Sequence, residues 1–345
     1  MREFIGKVGR GRTLARDLRG GEAEEAMRLI LTGKASGEQT AAFLMAMRFK
    51  GATVEELTAF ARAVKRHSRE TRPGLEGSVS MCGAYDGKAR TLHLGTLSAL
   101  IACGAGARVV RHGSRGIPPK KGVGTMDVLE ALGVNTSMPP GEALGALEGI
   151  GFAFLSTRVF NPDLERLLML SDSLGVRTVF HTLAPLVNPG NAPAQILGVA
   201  HWPFAQKLAE VLRDLGVQRA LVFQGIEGAD ELPLGESLRM VELRGGETET
   251  ISISLPGLGI DPGMGELRTR LDAEATAGIT LAVLRGEERG PVRSAAVLNA
   301  ALPIYLSGGA AGFEEAVSVA KASLDSGSAY ARLRELIRPS PPPGR

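Results

Sequence analysis

Along "ASGEQTAAFLMAMRFKG", residues 35 to 51, apolar positions recur at helical spacing, so that Phe43, Leu44 and Met47 share one face. Ser36 and Gln39 stand at capping-box spacing before this run, and Gly51 offers a stop after it. The next segment, "ATVEELTAFARAVKRH", repeats the arrangement. Thr53 and Glu56 stand at its cap, and Leu57, Phe60 and Val64 on its apolar face. Short capped helices in series predict a small helical lobe over residues 1–73. Its apolar faces require a cover, either a second lobe or a partner chain.

"TRPGLEG" breaks the helical pattern near residue 73. Beyond it, "ARVVRHGSRG" and "RALVFQGIEGADE" are short β-rich runs leading into glycine-containing loops. "TMDVLEALG" and "FAQKLAEVLRDLG" supply helices between strands. This alternation predicts an α/β lobe over residues 74–338, with a mostly parallel sheet covered by helices on both faces. Ligands of such sheets bind in loops beyond the carboxyl ends of the strands. The proline-rich tail, residues 339–345, reads as disordered.

At 345 residues the chain is long enough for two lobes, and its 44% hydrophobic content is ordinary for a globular protein. No run approaches the ~18 consecutive apolar residues of a membrane span. The start, "MREFIGKVGRGR", has no apolar signal core. Cys82 and Cys103 are too few for a disulfide framework or a zinc cluster. A cytoplasmic protein with no membrane contact is expected, with both thiols as buried small hydrophobes. The net charge of +3 is uneven: residues 1–72 hold 15 Lys/Arg against 9 Asp/Glu. A basic lobe of this kind attracts phosphates or nucleic acid, or is simply a solvated helical face.

Four loops carry residues with chemistry. In "CGAYDGKARTLHLGT", residues 82 to 96, Asp86 and Gly87 precede a small-residue run entering a helix. Where close backbone approach to phosphate favours glycine, the chain has Ala84 and Tyr85. "RHGSRGIPPKKG" gathers Arg111, His112, Arg115, Lys120 and Lys121 around glycines. Exposed N–H groups beside cations suit phosphate, although a solvated basic loop has the same composition. "GADELP" places Asp230 next to Glu231 after a strand, either as oxygen ligands for Mg²⁺ or as surface charge. "LGVRTVFHTLAPLVNP" sets Arg177 among apolar residues, where it needs an internal carboxylate or an acidic substrate as partner.

In order and spacing these four loops resemble the family-3 glycosyltransferases, typified by anthranilate phosphoribosyltransferase. The resemblance runs from "ILTGKASGEQTAAFLMAMRFKG" to "LRGEERGPVRSAAVLNAALPIYLSGGAAGFEEAV", nearly the whole chain. It implies a helical lobe that forms a homodimer, a larger α/β lobe, and an active site between them. The implied reaction is Mg²⁺-dependent transfer of a ribosyl phosphate from phosphoribosyl pyrophosphate to an aromatic nitrogen acceptor.

Carried onto this sequence, the family's Lys-His-Gly-Asn-Arg stretch appears as Arg111, His112, Gly113, Ser114 and Arg115, with Ser114 replacing the Asn that contacts the acceptor. Asp230 and Glu231 match the metal pair, and Arg177 matches the arginine that meets the acceptor carboxylate. Lys120 and Gly122 match an anion loop whose serines are here Pro118 and Pro119, which removes two N–H donors. The family's Gly-Thr-Gly-Gly-Asp loop is reduced to Cys82, Gly83, Ala84, Tyr85 and Asp86. His93 and Gly95 replace an Asn and a metal-binding Ser, while Thr91 and Thr96 are kept. The resemblance thus assigns phosphates to Arg111, Lys120, Thr91 and the backbone near Asp86 and Gly87. It assigns the acceptor to Arg177, His112 and Ser114.

"IGKVGRGRTLARDL", "MRFKG", "AYDGKAR" and "HTLA" resemble a second branch, the YbiB-like paralogues, which share the fold and bind nucleic acid. On that alternative the protein is a non-catalytic dimer. Lys7, Arg10, Arg12, Arg16 and Arg19, with Arg111, Arg115 and Lys121, would make sequence-independent phosphate contacts. An aromatic content of 4% offers few platforms for stacking bases.

Overall fold

Four helices build the amino-terminal lobe: α1 (Arg2–Val8), α2 (Gly20–Leu31), α3 (Gly37–Lys50) and α4 (Val54–Arg66). Both expected capping boxes form. Ser36 Oγ accepts the Gln39 N–H and Gln39 Oε1 accepts the Ser36 N–H, each at 3.2 Å. Thr53 Oγ1 and Glu56 Oε2 reciprocate at 3.1 and 2.8 Å. Gly51 ends α3 at φ 79°, a backbone setting that disfavours a side chain. The faces expected to be apolar are buried, and Phe43 meets Phe60 edge to face with ring centroids 6.1 Å apart.

Glu56 does more than cap. It is fully buried, its Oε1 accepts the Leu18 N–H at 2.8 Å, and Lys50 Nζ lies 2.8 Å from its Oε2. Lys50 also reaches Asp17 at 2.5 Å. One carboxylate therefore ties the stretch before α2 to the α3–α4 corner, and every charge in it has an answer.

The computed structural model describes residues 1–11, 13–68, 76–83, 92–116, 122–225, 231–232, 234–260 and 272–337. Arg12, Asp86, Gly87, Thr91, Lys120, Lys121, Asp230 and the tail lie outside them, as do most of "TRPGLEG" and the substitutions at Ala84, Tyr85, Pro118 and Pro119.

The second lobe is built on strands β1 (Ser78–Gly83), β2 (Arg108–Gly113), β3 (Phe152–Ser156), β4 (Ala194–Val199), β5 (Arg219–Gln224), β6 (Ser237–Arg244) and β7 (Glu247–Ser254). They lie in the order β3-β2-β1-β4-β5-β6-β7. The first five run parallel, and β6 and β7 extend the sheet antiparallel. Gly245 and Gly246, at φ 62° and 83°, join β6 to β7 in the kind of two-residue turn whose twist matches a hairpin. The antiparallel edge is a detail that the sequence reading of a mostly parallel sheet leaves unspecified.

Alternation along the strands sorts the core into two layers. Leu221 and Phe223 of β5 face one cluster, which contains helix α5 (Gly95–Gly104) and the helix Pro291–Leu306. Ala220 and Val222 face the other, with the helix Trp202–Asp214 and with Phe43 and Phe60 of the helical lobe. The apolar face of the helical lobe is therefore covered by its own chain. Arg62 donates to the Asp214 carbonyl at 2.7 Å and Lys207 to the Ala52 carbonyl at 2.9 Å, pinning the two lobes together. Cys82 and Cys103 are buried and unpaired with each other, and burial pushes the Cys103 thiol up to about 12. Among the described residues no helix is long and apolar enough to cross a membrane.

Replacing Glu56 by Ala leaves the Leu18 and Thr53 N–H groups without an acceptor and removes the buried one of the two carboxylates that meet Lys50. It should lower stability by about 3–5 kcal/mol in urea denaturation. Replacing Lys50 by Met in the same chain should recover part of that loss, because the buried cation is then gone. A Glu56→Ala midpoint equal to the parent's would show that the corner does not depend on this carboxylate.

Candidate active site

The carboxyl ends of β1, β2 and β5 open toward the same region as the amino-terminal turn of α5. Arg111 and His112 close β2, in register with Phe154 and Leu155 of β3, and with Ser114 they are almost wholly buried. The Arg111 guanidinium lies against the first turn of α5, where a Cβ built on Gly95 would fall on its Nη1. Nη2 donates to Thr125 Oγ1 at 2.9 Å, and Nε has no partner among the described residues. Gly95 is thus a glycine for want of space.

His112 Nε2 stands 3.5 Å from Thr157 Oγ1. Burial pushes its imidazole down to about 4, against a smaller opposing effect of a hydrogen bond to the Ala184 backbone. The ring is neutral at pH 7. Ser114 Oγ donates to the Arg115 carbonyl at 3.0 Å. Asp127 Oδ2 accepts N–H groups from Gly116 and Gly124, both at 2.9 Å, closing the mouth of the loop that the sequence reading marks for phosphate. Any Cβ on Gly116 would fall on the Gly122 carbonyl, so the two limbs of that loop touch through bare backbone.

Glu231 lies several residues past the end of β5 rather than straight after the strand. Its carboxylate is buried, and Oε1 accepts the Leu94 N–H at 3.2 Å, capping α5. The neighbouring Leu232 N–H donates to Asn299 Oδ1 at 2.9 Å, which fixes this segment on the helix Pro291–Leu306. The structure therefore brings Glu231 to Leu94, next to the glycine against which Arg111 packs, although Glu231 is far from both in sequence. A carboxylate held in such a place suits a hard divalent cation such as Mg²⁺. The expected second ligand, Asp230, lies outside the described residues, as do Asp86, Gly87, Thr91 and Lys120.

Arg177 is half-buried. Its carbonyl accepts from Arg48 of α3 at 2.7 Å, at the border of the two lobes. Asn188 is a residue that the sequence reading misses. Its Nδ2 donates to Ser80 Oγ at 2.7 Å, and its Oδ1 accepts the Gly190 N–H at 2.8 Å. The Asn-Pro-Gly turn signal is the available clue. Thr125 and Asp127 are likewise missed, since neither helix-opening position carries a signal of its own.

The cations expected to meet nucleic acid are partly engaged within the chain. Lys7 pairs with Glu22 at 2.5 Å, and Arg10 Nε donates to the Gly6 carbonyl at 3.0 Å. Arg115 spans Asp127 at 3.0 Å and Glu130 at 2.6 Å. Arg111 is buried at the site just described, while Arg16 and Arg19 are not buried. Arg12 and Lys121 lie outside the described residues.

Comparison with known proteins agrees with this geometry. The chain is similar to anthranilate phosphoribosyltransferase of Rubrobacter xylanophilus, 37% identical over 99% of this chain and 97% of that one. It is 33% identical to the Acetivibrio thermocellus protein of the same name, over 98% and 96%. The crystal structure of the Thermus thermophilus enzyme matches with a TM-score of 0.86 at 34% identity, covering 97% of this chain and 98% of that one. The Saccharomyces cerevisiae enzyme, solved with PRPP and Mg, shares the fold at a TM-score of 0.84 and 21% identity, covering 97% and 96%. These relatives carry an enzyme's name, and the reading of a non-catalytic nucleic-acid binder finds no support among them. The description "Glycosyl transferase family, helical bundle domain" matches residues 2–68 and "Glycosyl transferase family, a/b domain" matches residues 78–330, and the chain belongs to this glycosyl transferase family.

Proposed function

We propose that this protein transfers the 5-phosphoribosyl group of phosphoribosyl pyrophosphate to the amino nitrogen of anthranilate. The observation that carries the reading is the meeting of Glu231, the α5 amino terminus and buried Arg111, in a chain 37% identical over its length to an enzyme of that name. In the reaction the bond from C1 of the ribose to pyrophosphate breaks, a C1–N bond forms, and the nitrogen gives up a proton. The sugar passes through an oxocarbenium-like state, so the protein's task is to position reactants and balance charge.

Arg111, Lys120 and the N–H groups near Asp86, Gly87, Thr91, Gly113 and Gly122 are assigned to the phosphates. Arg177 is assigned to the anthranilate carboxylate, with His112 and Ser114 beside the ring. An imidazole whose pKa is about 4 is a weak base at pH 7, which suits His112 to positioning rather than proton removal. Asp230 and Glu231 would hold Mg²⁺, which when bound offsets the charge developing on the pyrophosphate leaving group. The division near residue 73 accords with family matches that end at 68 and resume at 78.

The helical lobe is read as the surface of a homodimer. Phe49 is 77% exposed beside a groove of about 700 Å³ that Ile5, Val8, Ala42 and Ala46 help to line. An apolar ring and an apolar groove on one lobe suit the matching lobe of a second copy.

Anthranilate fluorescence should fall when the protein is mixed with phosphoribosyl pyrophosphate and Mg²⁺. Changing Asp230 to Asn and Glu231 to Gln should slow that loss by roughly 100-fold. A parent protein that leaves anthranilate unconsumed overturns the reading.

His112 makes a separate prediction. Its folded pKa lies below the ordinary value, so its contribution to stability is complete above pH 6.5 and is lost as pH falls toward 4. Between pH 7 and pH 5 the loss from this one group is about 2 kcal/mol by linkage. Urea denaturation of a His112→Gln variant should show a pH dependence flatter by that amount, and an unchanged dependence would show that the ring titrates freely. Sedimentation velocity tests the dimer: the parent should sediment as two chains and Phe49→Glu as one, and a monomeric parent excludes it.

A further inference from the structure

β5 ends at Gln224, several residues before Glu231, so the strand does not set where that carboxylate stands. A ring of hydrogen bonds does. Leu232 N–H, donating to Asn299 Oδ1 at 2.9 Å, lies in the same planar peptide unit as the Glu231 carbonyl, so Asn299 holds the backbone end of Glu231. The carboxylate end is held by the Leu94 N–H at 3.2 Å. These two anchors are joined through Ser98 of α5. Its N–H donates to the Leu94 carbonyl at 2.9 Å. Its Oγ donates at 3.2 Å to the Ala296 carbonyl, one turn before Asn299 on the helix Pro291–Leu306. Ser98, Leu232 and Asn299 are all buried. Asn299 stands among the wholly buried apolar residues Leu298, Ala300, Ala301 and Leu302, where an amide is costly unless both halves are answered. Its Nδ2 donates to the Ala295 carbonyl at 2.8 Å, which answers the second half.

We infer that Asn299 and Ser98 are positioning residues that hold the Glu231 carboxylate in place for a divalent cation, Asn299 acting through Leu232 and Ser98 through Leu94. This deepens the phosphoribosyl-transfer reading and rests on it for the role of Glu231. A glutamate side chain turns about several bonds, whereas Mg²⁺ accepts little departure from octahedral oxygen geometry. Fixing both ends of Glu231 removes that freedom before the ion arrives, and water is kept from competing for the bonds that do so. The helix Pro291–Leu306 serves as the common frame, because it fixes the peptide of Glu231 and the helix whose first turn meets the carboxylate. A purely structural tie onto α5 exists for comparison. Ser323, buried on the helix Phe313–Asp325, donates from Oγ to the Ile101 carbonyl at 2.7 Å and takes no part in the ring.

The test is titration of the full chain with Mn²⁺ alone, the free ion being followed by electron paramagnetic resonance. The parent should bind Mn²⁺, and Glu231→Gln should lose that binding. Asn299→Leu, which keeps the bulk and removes the acceptor, should weaken it by at least about tenfold, the usual worth of a partner behind a metal ligand. Ser98→Ala should weaken it in the same direction. Ser323→Ala removes an equally buried bond on α5, so it should lower the melting temperature and leave Mn²⁺ affinity at the parent's value. Circular dichroism melts identify a variant that has failed to fold, and Ser98→Ala decides the claim if Asn299→Leu does not fold. Parent affinity in folded Asn299→Leu or Ser98→Ala, or an equal loss in Ser323→Ala, overturns the inference. So does a parent that binds no Mn²⁺, or whose binding survives Glu231→Gln. None of these results depends on turnover. A protein that consumes anthranilate while Asn299→Leu binds Mn²⁺ like the parent refutes the positioning role and leaves the function standing. Weakened Mn²⁺ binding in the two ring variants, in a protein that leaves anthranilate unconsumed, supports the positioning role and refutes the function.

Discussion

A guanidinium almost out of reach of water has to be met by dipoles or by an anion, and that constraint on Arg111 arranges the site around it. It sets residue 95 as glycine, because no Cβ fits between the guanidinium and the helix. It draws Thr125 inward as a hydrogen-bond partner, which places the helix Thr125–Ala131 and, through Asp127, the two limbs of the loop that helix follows. On the far side Glu231 caps α5 at Leu94, so the segment after β5 is held against the same turn. Parallel strands deliver these groups to one edge of the sheet, and the side-chain contacts turn that edge into a site.

The helical lobe solves a different problem in the same way. Its apolar faces are too large to leave in water, and they complete the core on the second face of the sheet. The fully buried Glu56 keeps that lobe's corner in register by answering Lys50 and two backbone donors at once. Arg48 and Arg62 then reach across to carbonyls at Arg177 and Asp214, so the border between the lobes is held by hydrogen bonds as well as by packing.

Local features are legible in the sequence because they are set by neighbours a few residues apart. The capping boxes at Ser36 and Thr53, the stop at Gly51 and the strands ending near Arg111 and Gln224 all follow from local spacing. Glu231 stands out in the sequence for its adjacency to Asp230, but its contact with Leu94 joins residues distant in the chain and leaves no local trace. The same holds for Asn188 with Ser80 and for Lys50 with Glu56, where only folding reveals the partner. Gly95 is the sharpest case. In the sequence it stands as a lost hydroxyl, and in the fold it is room for a cation supplied by another strand. The basic amino-terminal charge misleads for a related reason: Lys7 is partly neutralised by Glu22, a partner on a different helix.

The central claim is that the carboxyl ends of β1, β2 and β5 hold a diphosphate at the start of α5. A crystal structure of the protein grown with phosphoribosyl pyrophosphate tests it most directly. The account predicts phosphate oxygens within hydrogen-bond distance of Arg111 and of the first N–H groups of α5. A pyrophosphate bound elsewhere, with Arg111 turned to an internal carboxylate, would contradict it.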